Sequence, residues 1–408
     1  MEVESELLGY LSMIYVDSSH LHGFLKDGKP LSGIQRLTLN CLVGLWQVRG
    51  SDQVKAMVFS AKEKKFMTCR VEDFLRDGGQ SDLQFLPTNF NSADSVLLTE
   101  YFWNRAVSAA AAKHATFNDA KVFRFIHDVI PLALPRLYAR SWVRSFRKFI
   151  GDAIAGADVI LTNSDFSKRD IEKHYPNIPR LNEIAVLKLP HEFLAVEDVL
   201  AHFENSDAVR SDRINIPRDA EMLRGKSFVL TVGSLEARKN PEAAIWAWRE
   251  LFKRHGDKLP MLVLAGNFTS HSPIYRFRLR IGIAANPKIL HLRGCDDLTL
   301  QWLYQNCAFS LFLSKYEGWG LPVGESLWFG KPVVASNATS LPEVGPGLVD
   351  YVDPNNKSSV LAAIERQCFD VDWNAVQSVR LKNAKHRTWE AFVRELLGIM
   401  VCEDTKGL

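Results

Sequence analysis

The run YEGWGLPVGESLWFGKPVVASNATSLPEV, from Tyr316 to Val344, constrains this chain more than any other stretch. Two acids, Glu317 and Glu325, stand with seven residues between them, among them Gly318, Gly320, Pro322 and Gly324. A short apolar run, Pro332 to Ala335, follows. The order reads as glycine-rich loop, helix, buried strand, which is how open α/β sheets build a ligand crevice at the carboxyl ends of their strands. Gly318 and Gly320 let the backbone approach a ligand closely and take positive φ. Pro322 suits the first turn of a helix, where its missing N–H costs nothing. The helix N-terminus then offers N–H groups and a partial positive charge to an anionic or hydroxyl-rich ligand. Glu325 is expected in the first turn of that helix and Glu317 in the loop before it, both facing one crevice. Carboxylates accept pairs of hydrogen bonds, which suits the vicinal diols of ribose and of a hexose. Taken alone, the pair can equally be one helix-dipole acid and one solvated glutamate.

The rest of the chain repeats the same grammar. In the first half, short apolar runs at 13–16 (ending in Asp17), 54–60, 96–99, 122–126, 159–162 and 185–189 alternate with helical patterns at 34–47, 137–155 and 166–174. Residues 198–224 are polar and lack clean periodicity, so the domain boundary is expected there, near 212/213. The second half restarts with a strand at 228–232, a helix at 241–255 and a strand at 261–265 ending in Gly266. Further strands are expected at 289–292, 308–313, 332–335 and 348–352. Short apolar strands alternating with helices predict mostly parallel sheets, and a chain of 408 residues is too long for one core. The expectation is therefore two α/β domains of similar size facing each other across a cleft, 1–212 and 213–385. The tail from about 375 to 400 reads as helical, with Trp389, Phe392 and Leu396 on one face. Its last part, 386–408, must pack on something, and either domain can supply the surface.

Three further constellations carry chemistry. The VGSLEARKN run, Val232 to Asn240, follows a strand and precedes a helix that starts at Pro241. Gly233 allows a tight turn, and Arg238 and Lys239 then project near a helix N-terminus, a strong arrangement for a diphosphate. A solvated basic loop is the plain alternative. In FIHDVIP, a strand ends in His127 and Asp128. That histidine can donate to a phosphate or a sugar hydroxyl, or act as acid or base near neutral pH. It can also be structural, and Asp128 can be a turn or cap residue. In LSGIQR, Gly33 at a helix start is a candidate backbone anion site.

Other classes are excluded or disfavoured. Bases and acids nearly cancel, with a net charge of +3, so nothing points to nucleic acid. Six scattered cysteines form no CxxC pair, zinc knuckle or disulfide framework, which favours a reducing cytosol. The N-terminus MEVESELLGY lacks the basic and apolar regions of a signal peptide. No stretch of about 20 apolar residues suits a membrane span. GESLWFGK, Gly324 to Lys331, departs from a P-loop in spacing and carries Pro332 where Ser or Thr belongs. No GxGxxG follows the first strand, and His191 and Glu192 have no second histidine at zincin spacing. No Asp-x-Asp cluster stands out as a metal site. Arg136, Arg140, Arg144 and Arg147 recur at helical spacing, with Trp142, Phe146, Phe149 and Ile150 on the other side. Such a helix can lie on an anionic membrane or simply bury its aromatics in the first domain.

Together these residues resemble the family 4 retaining glycosyltransferases of the GT-B fold. The matching elements are Glu317–Glu325 with EGWGLP, GKPVVAS with SLPEV, VGSLEARKN, HDVIP, LTNSDFSKRDI (Leu161 to Ile171) and SGIQR. They span about residues 12 to 355, and the closest likeness is to the branch that builds bacterial surface polysaccharides, often with mannose. The resemblance implies two Rossmann-like domains and metal-independent transfer, with retention, from a nucleotide-diphosphate sugar. No cofactor is implied. The acceptor would be a glycan or a lipid-linked glycan, and the setting the cytoplasm, at the inner face of the membrane where membrane contact occurs. Arg238 and Lys239 would hold the diphosphate as it leaves. Glu325 would hold the donor ribose. Glu317, Gly318, Gly320 and Leu321 would hold the transferred sugar, and Gly233 and Ser234 would line the phosphate loop. His127 would contact the sugar or its phosphate, and Gly33 would approach the diphosphate from the first domain. One position departs: many relatives carry arginine directly after the phosphate-loop glycine, and here it is Ser234, for which Arg238 can compensate. A sugar-nucleotide epimerase of the same fold and a non-catalytic nucleotide-sugar-binding protein are the alternatives.

Overall fold

The computed structural model describes residues 13–76, 85–100, 117, 120–177, 184–201, 203, 218–269 and 272–404. The N-terminal MEVESELLGY segment and the expected 212/213 boundary lie outside the described residues. The chain divides into two compact units. One comprises Met1–Leu189, Asp198–Ser206 and Thr388–Leu408, the other Pro190–Glu197 and Asp207–Arg387.

The first unit runs β1 (Ile14–Asp17), α1 (Ser19–Lys26), α2 (Gly33–Arg49), β2 (Val54–Ser60), β3 (Lys65–Arg70), α3 (Val71–Arg76), β4 (Leu86–Pro87) and β5 (Ser95–Leu98). It continues with β6 (Lys121–Phe125), α4 (Ile130–Ala133), α5 (Arg140–Ala155), β7 (Val159–Thr162), α6 (Asp165–His174) and β8 (Ile184–Val186). The sheet order is β4-β3-β2-β1-β5-β6-β7-β8. Only the β2–β3 and β3–β4 pairs are antiparallel. The strands β1, β5 and β7 are buried along their whole length, as sheets covered on both faces require. Sequence patterning did not reveal β3 or β4. Both lie toward one edge, where β3 is exposed at both ends and β4 throughout, so neither carries a continuous apolar run.

Helix α5 settles one open choice. Its apolar side packs on the first unit's core: Phe146 and Ile150 are buried there, with Trp142, Val143 and Phe149 against the same cluster. Arg140, Arg144 and Arg147 form its solvated face. Phe146 and Ile150 are therefore taken up by core packing, with Trp142 and Phe149 half-buried beside them.

After α7 (Val196–Ala201), the second unit runs β9 (Phe228–Val232), α8 (Pro241–His255), β10 (Met261–Ala265), α9 (Pro273–Ala284), β11 (Ile289–Leu292), α10 (Asp297–Asn306) and β12 (Phe309–Phe312). Then come α11 (Leu321–Trp328), β13 (Val333–Ser336), β14 (Asp350–Val352), α12 (Lys357–Phe369) and α13 (Val371–Lys382). Its sheet is wholly parallel, in the order β11-β10-β9-β12-β13-β14. Alternation along the strands feeds two cores. Val229, Leu262 and Leu264 pack with Trp248 and Leu251 of α8, while Phe228, Leu230 and Val263 pack with Trp302, Leu303 and Tyr304 of α10.

The tail divides between the units. It is not one helix: α13 ends at Lys382, and α14 (Trp389–Asp404) starts afresh. In the first unit α14 packs on α2, where a Cβ at Gly44 would stand 2.6 Å from Val393 Cγ2. Gly44 weakens the helix it sits in, but it lets the two helices touch. Among the described residues, no helix is long and apolar enough to cross a membrane.

Candidate active site

In an open parallel sheet, ligands bind at the carboxyl ends of the strands where the strand order reverses. In the second unit that point lies between β9 and β12, and the two loops leaving it hold the charged residues singled out above. After β9 the chain turns at Gly233 (φ +134°). A Cβ there would meet the Lys239 side chain at 3.1–3.5 Å, so the glycine makes room for the lysine to fold back over the strand end. The adjacent loop is equally tight. A Cβ on Gly266 would come within 2.0 Å of the Gly233 carbonyl oxygen, so only glycine lets these two backbones approach. Ala237–Lys239 form a single 3₁₀ turn, and Asn240 in the left-handed region (φ 58°) redirects the chain into α8.

The loop after β12 brings Glu317 to this turn. Arg238 Nη1 donates to Glu317 Oε2 (2.6 Å) and to the Tyr316 carbonyl (2.8 Å). Arg238 Nη2 donates to Glu236 Oε1 (2.8 Å), which also accepts from Ser234 Oγ (3.0 Å). Lys239 Nζ lies 3.3 Å from Glu317 Oε1 and 5.3 Å from the Phe312 ring centroid. Burial works to raise the Glu317 pKa, but the charges of Lys239 and Arg238 outweigh it and hold the carboxyl below the ordinary glutamate value. Glu317 is thus ionised and acts as the counter-ion of two cations. Arg238 is committed to two carboxylates and a carbonyl, which makes it a brace between the two loops. Lys239 is held more loosely, by one longer ion pair and an aromatic face.

The loop's conformation is fixed from below. Thr339 Oγ1 accepts from the Glu317 N–H (3.0 Å), and buried Ser340 donates to the carbonyl oxygens of Glu317 (2.9 Å) and Trp319 (3.0 Å). Gly320, not Gly318, takes positive φ (+127°), and a Cβ there would strike Leu341 at 2.5 Å. Gly318 is buried in the loop, Leu321 is the first residue of α11, and Pro322 sits in its first turn. Glu325 falls one turn later than expected, because the helix begins at Leu321 and its first turn holds no acid. Its carboxylate is buried and accepts from the Tyr304 hydroxyl of α10 (2.7 Å). Local spacing singled out Glu317 and Glu325, but Glu236, Tyr304 and Thr339 were missed. Their partners are remote in sequence or, for Glu236, hidden inside a charge run.

Gly33 and His127 belong to the first unit. Gly33 opens α2 as an exposed residue, behind Ser32, whose N–H donates to Gln35 Oε1 (3.3 Å). His127 is buried and stacks on Phe125. Its Nε2 is 2.7 Å from the Thr99 carbonyl, and a carbonyl can only accept, so Nε2 carries the proton and Nδ1 is the acceptor nitrogen. Burial pushes its pKa down to about 4. The ring is therefore neutral near pH 7, not a cationic donor. Asp128 serves as a turn acceptor for the Ile130 N–H (3.0 Å).

One cluster in this unit was not anticipated. Asp17 ends β1 and Glu100 follows β5, at the point where this sheet reverses its order. Both acids are fully buried. Glu100 accepts from the His20 (2.6 Å) and Leu21 (3.0 Å) N–H groups in the first turn of α1. Asp17 accepts from Ser19 through both its N–H (3.1 Å) and its hydroxyl (2.6 Å). Burial raises Asp17 to about 6 despite Ser19 and Arg124. Burial, and then Asp17 itself, raise Glu100.

Residues 212–366 match the model of the family described as glycosyl transferases group 1. The O-antigen chain mannosyltransferase B of Escherichia coli is 30% identical over 269 residues, covering 65% of this chain and 66% of that protein. The second unit thus carries a glycosyl transferases group 1 domain. The serotype-specific mannosyltransferase WbdA of Escherichia coli is 29% identical over 287 residues, which is 69% of this chain and 31% of that protein. Less than two thirds of either relative's length is thus matched, and of the second only about a third. The crystal structure of Anabaena Alr3699/HepE in complex with UDP-glucose aligns over 97% of this chain and all of its own, at 15% identity and a TM-score of 0.59. At that identity the likeness speaks to the fold alone, which is GT-B, with two Rossmann-like domains.

Proposed function

We propose that the chain is a retaining glycosyltransferase. It moves a sugar from a nucleotide-diphosphate sugar to a glycan or lipid-linked acceptor in polysaccharide biosynthesis. One observation carries the reading: Lys239, Glu317 and Arg238 form a largely buried ion cluster at the switch point of a parallel sheet, within the segment that matches the family. The relatives' names favour mannose as the sugar and a bacterial surface polysaccharide as the product. The UDP-glucose named with the structural neighbour favours a nucleotide-diphosphate donor.

In this reading Glu317 holds the two cations in place until an anion arrives. The donor diphosphate then takes over Lys239, the less tightly bound cation, and the N–H groups at the start of α8. Arg238 keeps the β12 loop docked, so that Glu317 and the backbone at Gly318, Gly320 and Leu321 take the transferred sugar. Glu325, fixed by Tyr304, takes the ribose diol. Gly233 and Ser234 shape the turn over which Lys239 reaches. As the glycosidic bond to phosphate breaks, positive charge grows on the sugar and negative charge on the departing oxygen, and a fixed cation beside that oxygen lowers the barrier. The acceptor hydroxyl attacks from the same face. No step calls for a metal ion, so chelator should leave the rate unchanged. For the first unit the proposal is narrower. A neutral His127 suits a sugar hydroxyl that donates to it better than it suits a phosphate, and the Gly33 amide at the start of α2 suits an anion.

The deciding experiment incubates the chain with labelled nucleotide sugars and lipid-linked acceptors. Transfer with retained anomeric configuration supports the proposal. An isomerised donor would assign an epimerase, and binding without turnover a nucleotide-sugar-binding protein.

A further inference from the structure

Helix α9 is amphipathic in an unusual sense. One face is packed: Leu279 is buried, and Tyr275 and Ile283 lie against the second unit's core. The opposite side carries a second apolar stripe in the open. Ile274, Phe277 and Ile281 are 74%, 64% and 52% exposed, and their spacing of three and then four residues puts them on one line along the helix. Core packing cannot account for them, because the core already takes the other face. Leaving three large apolar side chains together in water is costly unless something covers them.

The surrounding charge indicates what covers them. The helix PIYRFRLRIGIA contains three arginines and no acid. At 100° per residue, Arg278 lies on one flank of the stripe and Arg280 on the other, with Arg276 further round. Arg278 and Arg280 are exposed. Beside the stripe, a cleft of about 370 Å³ between α8 and α9 is lined by Trp246, Tyr275, Arg249 and Arg278 and by one acid, Glu242, which accepts from the Tyr275 hydroxyl. An apolar ridge between cations, next to an indole and a phenol, suits the boundary between acyl chains and anionic headgroups, where aromatic rings and arginine side chains are favoured. We propose that the exposed face of α9 docks this protein on an anionic lipid bilayer. The inference stands apart from the donor-site reading.

The test is sedimentation of the full chain with vesicles of phosphatidylcholine alone and with one third phosphatidylglycerol, at low and high salt. Binding is expected only to the anionic vesicles and should weaken with salt. The triple variant I274S/F277S/I281S should lose at least about tenfold in vesicle affinity, and so should R276Q/R278Q/R280Q. The serine variant alters exposed positions, the glutamine variant two exposed arginines and half-buried Arg276, and unchanged melting temperatures would show that the fold survives. The variant R140Q/R144Q/R147Q should bind like wild type. Equal binding by wild type and both α9 variants would overturn the proposal, as would no binding to anionic vesicles. Equally decisive against it would be a dimer in solution that the serine variant converts to monomer, because the stripe would then be covered by a second copy of the chain.

Discussion

Each unit presents a reversal of strand order with acids at the strand ends, yet the two are wired in opposite ways. In the second unit, Glu317 is flanked by Arg238 and Lys239 and its pKa is depressed. In the first, Asp17 and Glu100 are buried close enough to raise each other's cost, and the nearby His127 is neutral. The lesson concerns what each point can receive. A carboxylate already balanced by two cations marks a place where another anion can substitute for it. A buried pair of acids disfavours a further anion, and a neutral imidazole adds no cation to attract one. The cations lie at the second unit's switch point, and buried acids lie at the first unit's.

The largest expected effect tests the cationic side. Lys239→Ala should lower turnover by about 10²–10³-fold, the usual cost of removing one group that stabilises developing charge, while urea denaturation stays near wild type. Near-normal transfer by this variant would remove Lys239 from the mechanism. Glu317→Gln should do the reverse in stability. It strips the counter-ion from largely buried Lys239 and leaves Arg238 paired with Glu236, and should cost about 3 kcal/mol. If an anion can replace Glu317, inorganic pyrophosphate should raise the melting temperature of this variant more than that of wild type. An equal rise in both would break the comparison at its centre.

The smaller effects concern the first unit and depend on pH. Asp17 titrates at about 6 in the fold against 3.8 when unfolded, so its ionised form opposes folding above pH 6, and that cost fades as pH falls toward 4. Asp17→Asn keeps the Oδ1 acceptor for Ser19 and should stabilise the chain by about 1–2 kcal/mol at pH 8, with little gain at pH 4.5. His127 has the opposite sign. Its folded pKa of about 4 lies below the unfolded 6.5, so stability is full above pH 6.5 and declines as pH falls toward 4. Between pH 7.5 and 5, wild type should lose about 2 kcal/mol more than His127→Gln in urea titrations. Parallel profiles would mean that the imidazole is not held neutral.

Much of the second unit could be read along the chain. Phe228–Val232, Met261–Ala265 and Ile289–Leu292 are apolar runs bounded by polar or glycine residues, and each became a strand with those bounds. The glycines of its loops announced close backbone approach, as Gly233 and Gly266 show. Less was readable where a feature depends on distant partners. The Asp17–Glu100 pair joins residues 83 positions apart, and each acid alone looks like any turn residue. Arg238 was singled out as a phosphate ligand from its place after a strand and before a helix N-terminus, but its pairing with Glu236 and with a loop 79 residues away could not be read locally. Spacing could show that α5 is amphipathic, but not which surface its aromatics meet. Burial decided that.

The most direct measurement of the central claim is a crystal structure of the chain with a nucleoside diphosphate bound. The account predicts a phosphate oxygen within about 3 Å of Lys239 Nζ, with Arg238 still bridging Glu236 and Glu317. A diphosphate bound elsewhere, with the Lys239–Glu317 pair intact, would contradict it.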